Sequence, residues 1–300
     1  MIKVPTPLQQ LHHALLKEKG ITIHVKRDDL THPEVMGNKW RKLKYNLQEA
    51  LHQDRKTLIT MGGAFSNHIA ATAAAAHQAG LKAIGVIRGE ELNAESNATL
   101  QFASEKGMEL QFVSRTTYRW LRENPEELMA THPKGYFLPE GGTNNLAIKG
   151  CKEIIEEIRT DFDLIVCPIG TGGTFCGLAA SLSTNQQLLG ISALKGEFVP
   201  HELNKLAMSY GISFQNCTIN TEYHHGGYAK TTPELIDFIN WFKEIFDIQL
   251  DPVYTGKSFF GVWDMVKKNK FEKNLRIVLL HTGGLQGIAG YNRRNQIIIQ

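Results

Sequence analysis

Seven short apolar runs rich in β-branched residues punctuate the chain, at 21–25, 57–61, 83–87, 109–113, 163–169, 188–194 and 275–281. Longer stretches of helical periodicity separate most of them. Residues 66–79, for example, open on Ser66 as an N-cap, run through alanines and stop at Gly80. Strand followed by helix, repeated, predicts parallel sheets with helices on both faces, because a long crossover can return to the same edge of a sheet. In such an α/β fold ligands bind at the carboxyl ends of strands, against the N-termini of the following helices. The strand-to-helix turns are therefore where chemistry is expected.

At 300 residues the chain is long enough for two domains or one large α/β unit, and no repeat or Pro/Ser-rich linker marks a boundary. Lysine plus arginine total 33 against 30 for aspartate plus glutamate, a net charge of +3, which leaves no surplus for a general polyanion-binding surface. Nucleic acid and anionic membranes are unexpected as partners. The start, Met1 to Pro7, lacks the apolar core of a signal peptide, and no run approaches the ~18 apolar residues of a membrane span, so a cytoplasmic location is expected. Cys151, Cys167, Cys176 and Cys217 have no Cys-x-x-Cys spacing and are expected as reduced, mostly buried thiols, with neither disulfide nor metal site.

Four turns could carry chemistry. The run 163–169 leads into Gly170-Thr171-Gly172-Gly173-Thr174, where glycines admit a close ligand and the N–H groups opening the next helix suit an anion. A dinucleotide fingerprint would need a third glycine at Phe175 and an acidic residue after the next strand. Neither is present, so the turn reads as a site for a single phosphate or as a plain tight turn. Gly256-Lys257-Ser258 resembles the end of a nucleotide P-loop, but Asp251 stands where its first glycine belongs; the simpler reading is a helix cap by Ser258. Met61 to His68 places Ser66, Asn67 and His68 at a helix start, a receptor for a carboxylate, or else an N-cap followed by a solvated histidine. In Asn38 to Tyr45 the cations Arg41, Lys42 and Lys44 are expected on a solvated helix face. Lys39 differs, because it follows Gly37-Asn38 at a helix start, where dipole and burial would favour a neutral, nucleophilic amine.

Together, Gly37-Asn38-Lys39, Ser66-Asn67-His68, Gly170 to Thr174, Pro252 to Lys257 and His281-Thr282-Gly283-Gly284 occur in the order found in the D-cysteine desulfhydrase and 1-aminocyclopropane-1-carboxylate (ACC) deaminase family. The chain resembles that family over nearly its whole length. The resemblance implies a fold-type II pyridoxal-phosphate enzyme, tryptophan synthase β-like, with two parallel-sheet α/β domains and the active site in the cleft. Residues 1–45 with 149–300 would form the large cofactor-binding domain, and 46–148 a small inserted α/β domain. Lys39 would hold pyridoxal 5'-phosphate as a Schiff base, Asn67 would touch its phenolic oxygen, and Gly170, Thr171, Gly172, Gly173 and Thr174 would cradle its phosphate. Ser66, Asn67 and His68 would meet the substrate, and Ser66, Tyr228 and Tyr254 would join Lys39 in catalysis. A homodimer and a small amino-acid substrate are implied as well.

Position 255 separates the family's two activities. ACC deaminases carry a glutamate after the tyrosine, facing the pyridine nitrogen, whereas this chain has Thr255, as the desulfhydrases do. A neutral hydroxyl weakens the cofactor as an electron sink, which favours α,β-elimination over cyclopropane opening. Two departures mark the pocket. Phe65 replaces the family's usual Gln before Ser-Asn-His, and Gly226-Gly227-Tyr228-Ala229-Lys230 replaces its usual Gly-Tyr-Gly-x-Pro-Asn. Phe65 reads as core or as a substrate contact, and Lys230 as a surface charge or an anchor for a second acidic group. ACC deamination and a non-catalytic cofactor- or ligand-binding role are the alternatives.

Overall fold

The computed structural model describes residues 1–296, 298 and 299. Among these residues ten strands form: β1 (Leu8–Gln10), β2 (Thr22–Lys26), β3 (Thr57–Gly63), β4 (Lys82–Arg88), β5 (Met108–Val113), β6 (Gly135–Leu138), β7 (Leu164–Ile169), β8 (Gln187–Ser192), β9 (Cys217–Asn220) and β10 (Arg276–Leu280). A six-stranded sheet runs β1-β2-β10-β7-β8-β9, and a four-stranded sheet runs β5-β4-β3-β6. Every pairing is parallel except β1 on β2. The seven runs read from the sequence all become strands, with ends shifted by one or two residues. The three additional strands, β1, β6 and β9, are three or four residues long and lie at sheet edges, too short to show a pattern.

Helices on both faces explain the unbroken apolar runs: all six residues of β7 are buried. Pro168 lies inside this central strand. Its missing N–H is tolerated because the β7–β10 ladder ends at the Val166–Leu279 pair, before the proline is reached. The sheet parts there, at the carboxyl ends of β7 and β10, between the strands where the order reverses. No described helix is long and apolar enough to cross a membrane. Cys151, Cys167 and Cys176 are buried and Cys217 is half-buried, all as free thiols.

The helix Asn38–His52 joins both sheets. It starts at Gly37, whose φ of 64° and close seat on the Thr282 carbonyl leave no room for a Cβ. Its later residues Leu43 and Ala50 pack into the core of the small sheet with Leu58 and Ile69. The expectation of a solvated cationic face fails for two of three residues. Arg41 and Lys42 are buried, and only Lys44 is partly exposed, held by Glu153 at 2.7 Å. Arg41 is buried because carboxylates come to meet it: its Nε donates to Asp28 at 3.1 Å and Nη2 to Glu157 Oε2 at 2.7 Å, while Lys26 reaches the same Glu157 oxygen at 2.7 Å. The expected cap by Ser258 is also corrected. Ser258 is buried in the first turn of the helix Thr255–Lys267, and the Asp251 carboxylate does the capping, accepting from the N–H groups of Val253, Tyr254 and Thr255 at 2.8–2.9 Å.

Candidate active site

Loops at the carboxyl ends of both sheets line a cavity of about 1110 Å³. It brings together Lys39, Ser66, Asn67, His68, Gly170, Thr171, Gly172, Thr174, Tyr228 and Tyr254. Two expected members do not line it. Gly173 lies beneath the turn, where a Cβ would press on Thr143 Oγ1 and lie 3.1 Å from Lys42 Nζ. Thr255 is fully buried, with its hydroxyl donating to Asp251 Oδ1 at 2.6 Å and accepting from Asp251 N at 2.9 Å. Thr282, from the loop after β10, lines the cavity instead.

Lys39 is the second residue of its helix, so no turn precedes it to hold its side chain away from the cavity. Burial, and then the charge of Lys42 one turn later, lower its amine to about 7. About half of it is thus unprotonated at pH 7, against a negligible fraction for an ordinary lysine. An amine-directed reagent applied to cofactor-free protein should label Lys39 with a midpoint near pH 7, well before the surface lysines, as followed by peptide mass spectrometry. A midpoint near 10 would contradict this account.

The glycine turn sits where β7 meets the helix Gly173–Ala179, and Gly172 caps that helix at φ 83°. Asn38 Nδ2 donates to Thr174 Oγ1 at 2.9 Å, tying the lysine helix to this turn. The turn also has a lysine that sequence reasoning placed in solvent. Lys42 Nζ donates to the Gly141 carbonyl at 2.9 Å and lies 3.4 Å from Thr171 Oγ1, so a buried amine, its pKa lowered by that burial, faces the glycine turn. The spacing of Lys42, one helical turn after Lys39, was the available signal.

Ser66 caps the helix Asn67–Gln78, its Oγ accepting from Ile69 N at 3.3 Å. The Asn67 carboxamide oxygen accepts from Gln286 Nε2, which leaves its NH₂ as the free donor. His68 is not the solvated histidine of the simpler reading. It is buried against Gly142 with neither ring nitrogen bonded among the described residues, and burial next to Lys39 and Lys42 holds it neutral, well below its usual range. The Tyr254 ring lies on Gly170, where a Cβ would come within 2.9 Å, and Tyr228 stands against it with ring centroids 6.1 Å apart. Burial, with Tyr228 beside it, pushes the Tyr254 hydroxyl well above its usual range, so it stays protonated. Lys257, the apparent P-loop lysine, is fully buried and donates to the Gly227 carbonyl at 2.7 Å, tethering the loop that carries Tyr228.

A family model described as pyridoxal-phosphate dependent enzyme matches residues 2–283. The chain belongs to this family. A solved structure described as an ACC deaminase homologue superposes with a TM-score of 0.83 at 32% identity, covering 98% of this chain and 93% of that one. A D-cysteine desulfhydrase of Yersinia pestis is 31% identical over 96% of this chain and 93% of its own length. A mitochondrial bifunctional D-cysteine desulfhydrase/1-aminocyclopropane-1-carboxylate deaminase of Arabidopsis thaliana is 30% identical over 98% of this chain and 79% of its own. The protein is thus a fold-type II pyridoxal-phosphate-dependent lyase or deaminase. The residues present fit the cofactor: an amine lowered to about 7 for its aldehyde, and a glycine cradle with no room for a Cβ at Gly170 and with a buried amine beneath it for its phosphate.

Proposed function

We propose that the protein performs α,β-elimination on a small amino acid in the manner of a D-cysteine desulfhydrase, so that D-cysteine and water give pyruvate, ammonia and sulfide. The observation that carries this reading is that the 251–255 turn gives no acid to the lining of the large cavity. Where the ACC deaminases carry glutamate, Thr255 spends its hydroxyl on Asp251, and the Asp251 carboxylate is itself engaged by three backbone N–H groups and that hydroxyl. Thr282 lines the cavity instead and would offer its hydroxyl to the ring nitrogen. A neutral partner suits loss of a good leaving group and disfavours opening a strained ring.

Bound pyridoxal phosphate supplies the electron sink that acidifies the substrate's α-hydrogen. Lys39 would hold it through its amine, the Asn67 NH₂ would donate to its phenolic oxygen, and Gly170 to Thr174 with Lys42 would take its phosphate. The freed Lys39 amine, which burial lowers from the ordinary lysine range in the cofactor-free protein, is the group placed to take up the α-proton. Ser66 and the N–H groups opening its helix would receive the substrate carboxylate. The Tyr254 hydroxyl, which keeps its proton, would donate to the departing sulfur, with Tyr228 beside it.

Residues 1–45 with 149–300 are assigned to the cofactor-binding domain and 46–148 to the inserted domain; in support, every strand of the four-stranded sheet lies between Thr57 and Leu138. Cytoplasmic location and homodimer assembly belong to the same reading, on family resemblance. The test is release of sulfide and 2-oxo acid from D-cysteine, L-cysteine and ACC by the holoenzyme. Equimolar sulfide and pyruvate from D-cysteine are expected. Release of 2-oxobutyrate from ACC with none of these products from cysteine would overturn the proposal.

A further inference from the structure

The mouth of the cavity is strongly basic, although the chain as a whole is nearly neutral. The helix Arg115–Glu123 directs Arg115, Arg119 and Arg122 to the lining, four and three residues apart on one face, and Arg88 joins them from the end of β4. Like charges at this spacing repel each other on a helix. Part of the repulsion is offset: Glu91 pairs with Arg115 at 2.6 Å and Glu140 stands 3.8 Å from Arg122. Arg119, between them, has no ion-pair, hydrogen-bond or ring partner among the described residues. Arg88 has only the Tyr118 ring, 5.6 Å from its guanidinium carbon, and its Nη2 lies 3.5 Å from where a Cβ of Gly63 would stand, over the turn that leads to Ser66.

Two more lining cations stand at the two places where the sequence departs from its family. Lys230 ends the altered Gly226–Lys230 segment and makes no ion pair among the described residues. Arg294 sits over the ring of Phe65, 5.5 Å from its centroid, and Phe65 is exposed to the cavity, so of its two readings it lines the pocket and is not core. The third carboxylate of the lining, Glu34, is neutralised by Lys106. At about 1110 Å³ the cavity also exceeds the roughly 300–1,000 Å³ of ordinary small-molecule sites, which leaves room beyond a cofactor and a cysteine.

We propose that the enzyme's preferred substrate is an amino acid whose β-substituent is itself an anion, received by Arg119 and Lys230 at the mouth while the Ser66 turn holds the α-carboxylate. This rests on the elimination reading and names its substrate class; D-cysteine is then a minimal substrate. With O-phosphoserine the Cα–H and Cβ–O bonds break. The α-proton passes to the Lys39 amine, and phosphate departs with the Cβ–O electron pair. One water then replaces the nitrogen, giving pyruvate, ammonia and inorganic phosphate without net oxidation or reduction.

Matched pairs test it on the holoenzyme: O-phosphoserine against O-acetylserine, and S-carboxymethylcysteine against S-methylcysteine, each as D and L enantiomers. Turnover is followed by 2-oxo acid release and equilibrium binding by titration calorimetry. The anionic member of at least one pair should be preferred at least tenfold in kcat/KM at low salt, and the pair that responds tells phosphate from carboxylate. The preference should fall in about 0.5 M KCl, where exposed charges are screened. In the Arg119→Gln/Lys230→Gln double variant it should fall at least fivefold through KM, while Arg119→Lys retains most of it. Equal or better use of the neutral members, or a ratio unchanged in the double variant, would overturn the proposal. If no member is turned over and none exchanges its α-hydrogen in deuterated water, the elimination reading fails, and the binding preference alone then decides whether the mouth selects anions.

Discussion

Arg41→Ala will lower the unfolding free energy by about 3–5 kcal/mol, the range for removing one partner of a buried ion pair. The loss is that large because the arginine's absence leaves Asp28 fully buried and Glu157 largely so, with only Lys26 to answer two carboxylates. Arg41→Lys will recover only part of it, since an ammonium cannot bond both acids in parallel. The pH dependence has a definite sign. Burial works against the charge on Glu157, but the Arg41 and Lys26 donors outweigh it and hold the carboxyl at about 2. A folded-state value below the unfolded one means stability that is full above about pH 4.5 and lost as pH falls toward 2. Denaturant titrations of wild type will therefore weaken over that window, and those of Arg41→Ala will weaken much less. Equal acid sensitivity in the two proteins would contradict the assignment.

On the proposed assignment Lys39→Ala will abolish covalent retention of the cofactor and cut elimination on the order of 10³-fold or more, since one side chain would both hold the cofactor and carry the proton. Loss of absorbance from a covalently held cofactor, with phosphate-cradle binding preserved, is the spectroscopic check. Covalent retention in the variant would contradict the assignment. In the cofactor-free protein the same substitution will be stabilising near neutral pH. A lysine whose folded value is about 7 gives up a proton on folding that it keeps when unfolded, so its burial costs stability below the ordinary lysine range. That cost shrinks as pH rises from about 7 toward 10.5. Melting temperatures of the two cofactor-free proteins will therefore converge over this interval.

Much of the architecture is legible in the sequence because central parallel strands are buried on both faces and read as unbroken apolar runs; β7 is the clearest case. Edge strands such as β6 pair with one neighbour only, are half-buried at two of four residues, and carry no such signature. The places of Lys39, Ser66 and most of the glycine turn on the cavity are legible because each is a residue type set at the opening of a helix. Arg41 and Lys42 are not. The acids that bury Arg41 lie 13 and 116 residues away, and the carbonyl and hydroxyl that hold Lys42 lie 99 and 129 residues away, so both look like solvated cations until the chain is folded. Thr255 misleads in another way. Its motif marks the right turn, but Asp251 four residues earlier takes up its hydroxyl, a competition that Asp-Pro-x-x-Thr alone already permitted. Replacing Thr255 with Glu would press a second acid against Asp251 and so would not re-create an ACC deaminase.

The helix Asn38–His52 belongs to both halves of the molecule, seated on the Thr282 loop at its start and packed into the small-sheet core further on. If one sheet rotates against the other, such a shared rod is the natural axle, and points near an axle travel least. Lys39 is on that rod. Arg119 is on the helix Arg115–Glu123, between β5 and β6, and not on that rod. Such a rotation would widen or narrow the cleft to suit the length of its guest while Lys39 kept its place, which would separate the tuning of selectivity from the chemistry at the lysine.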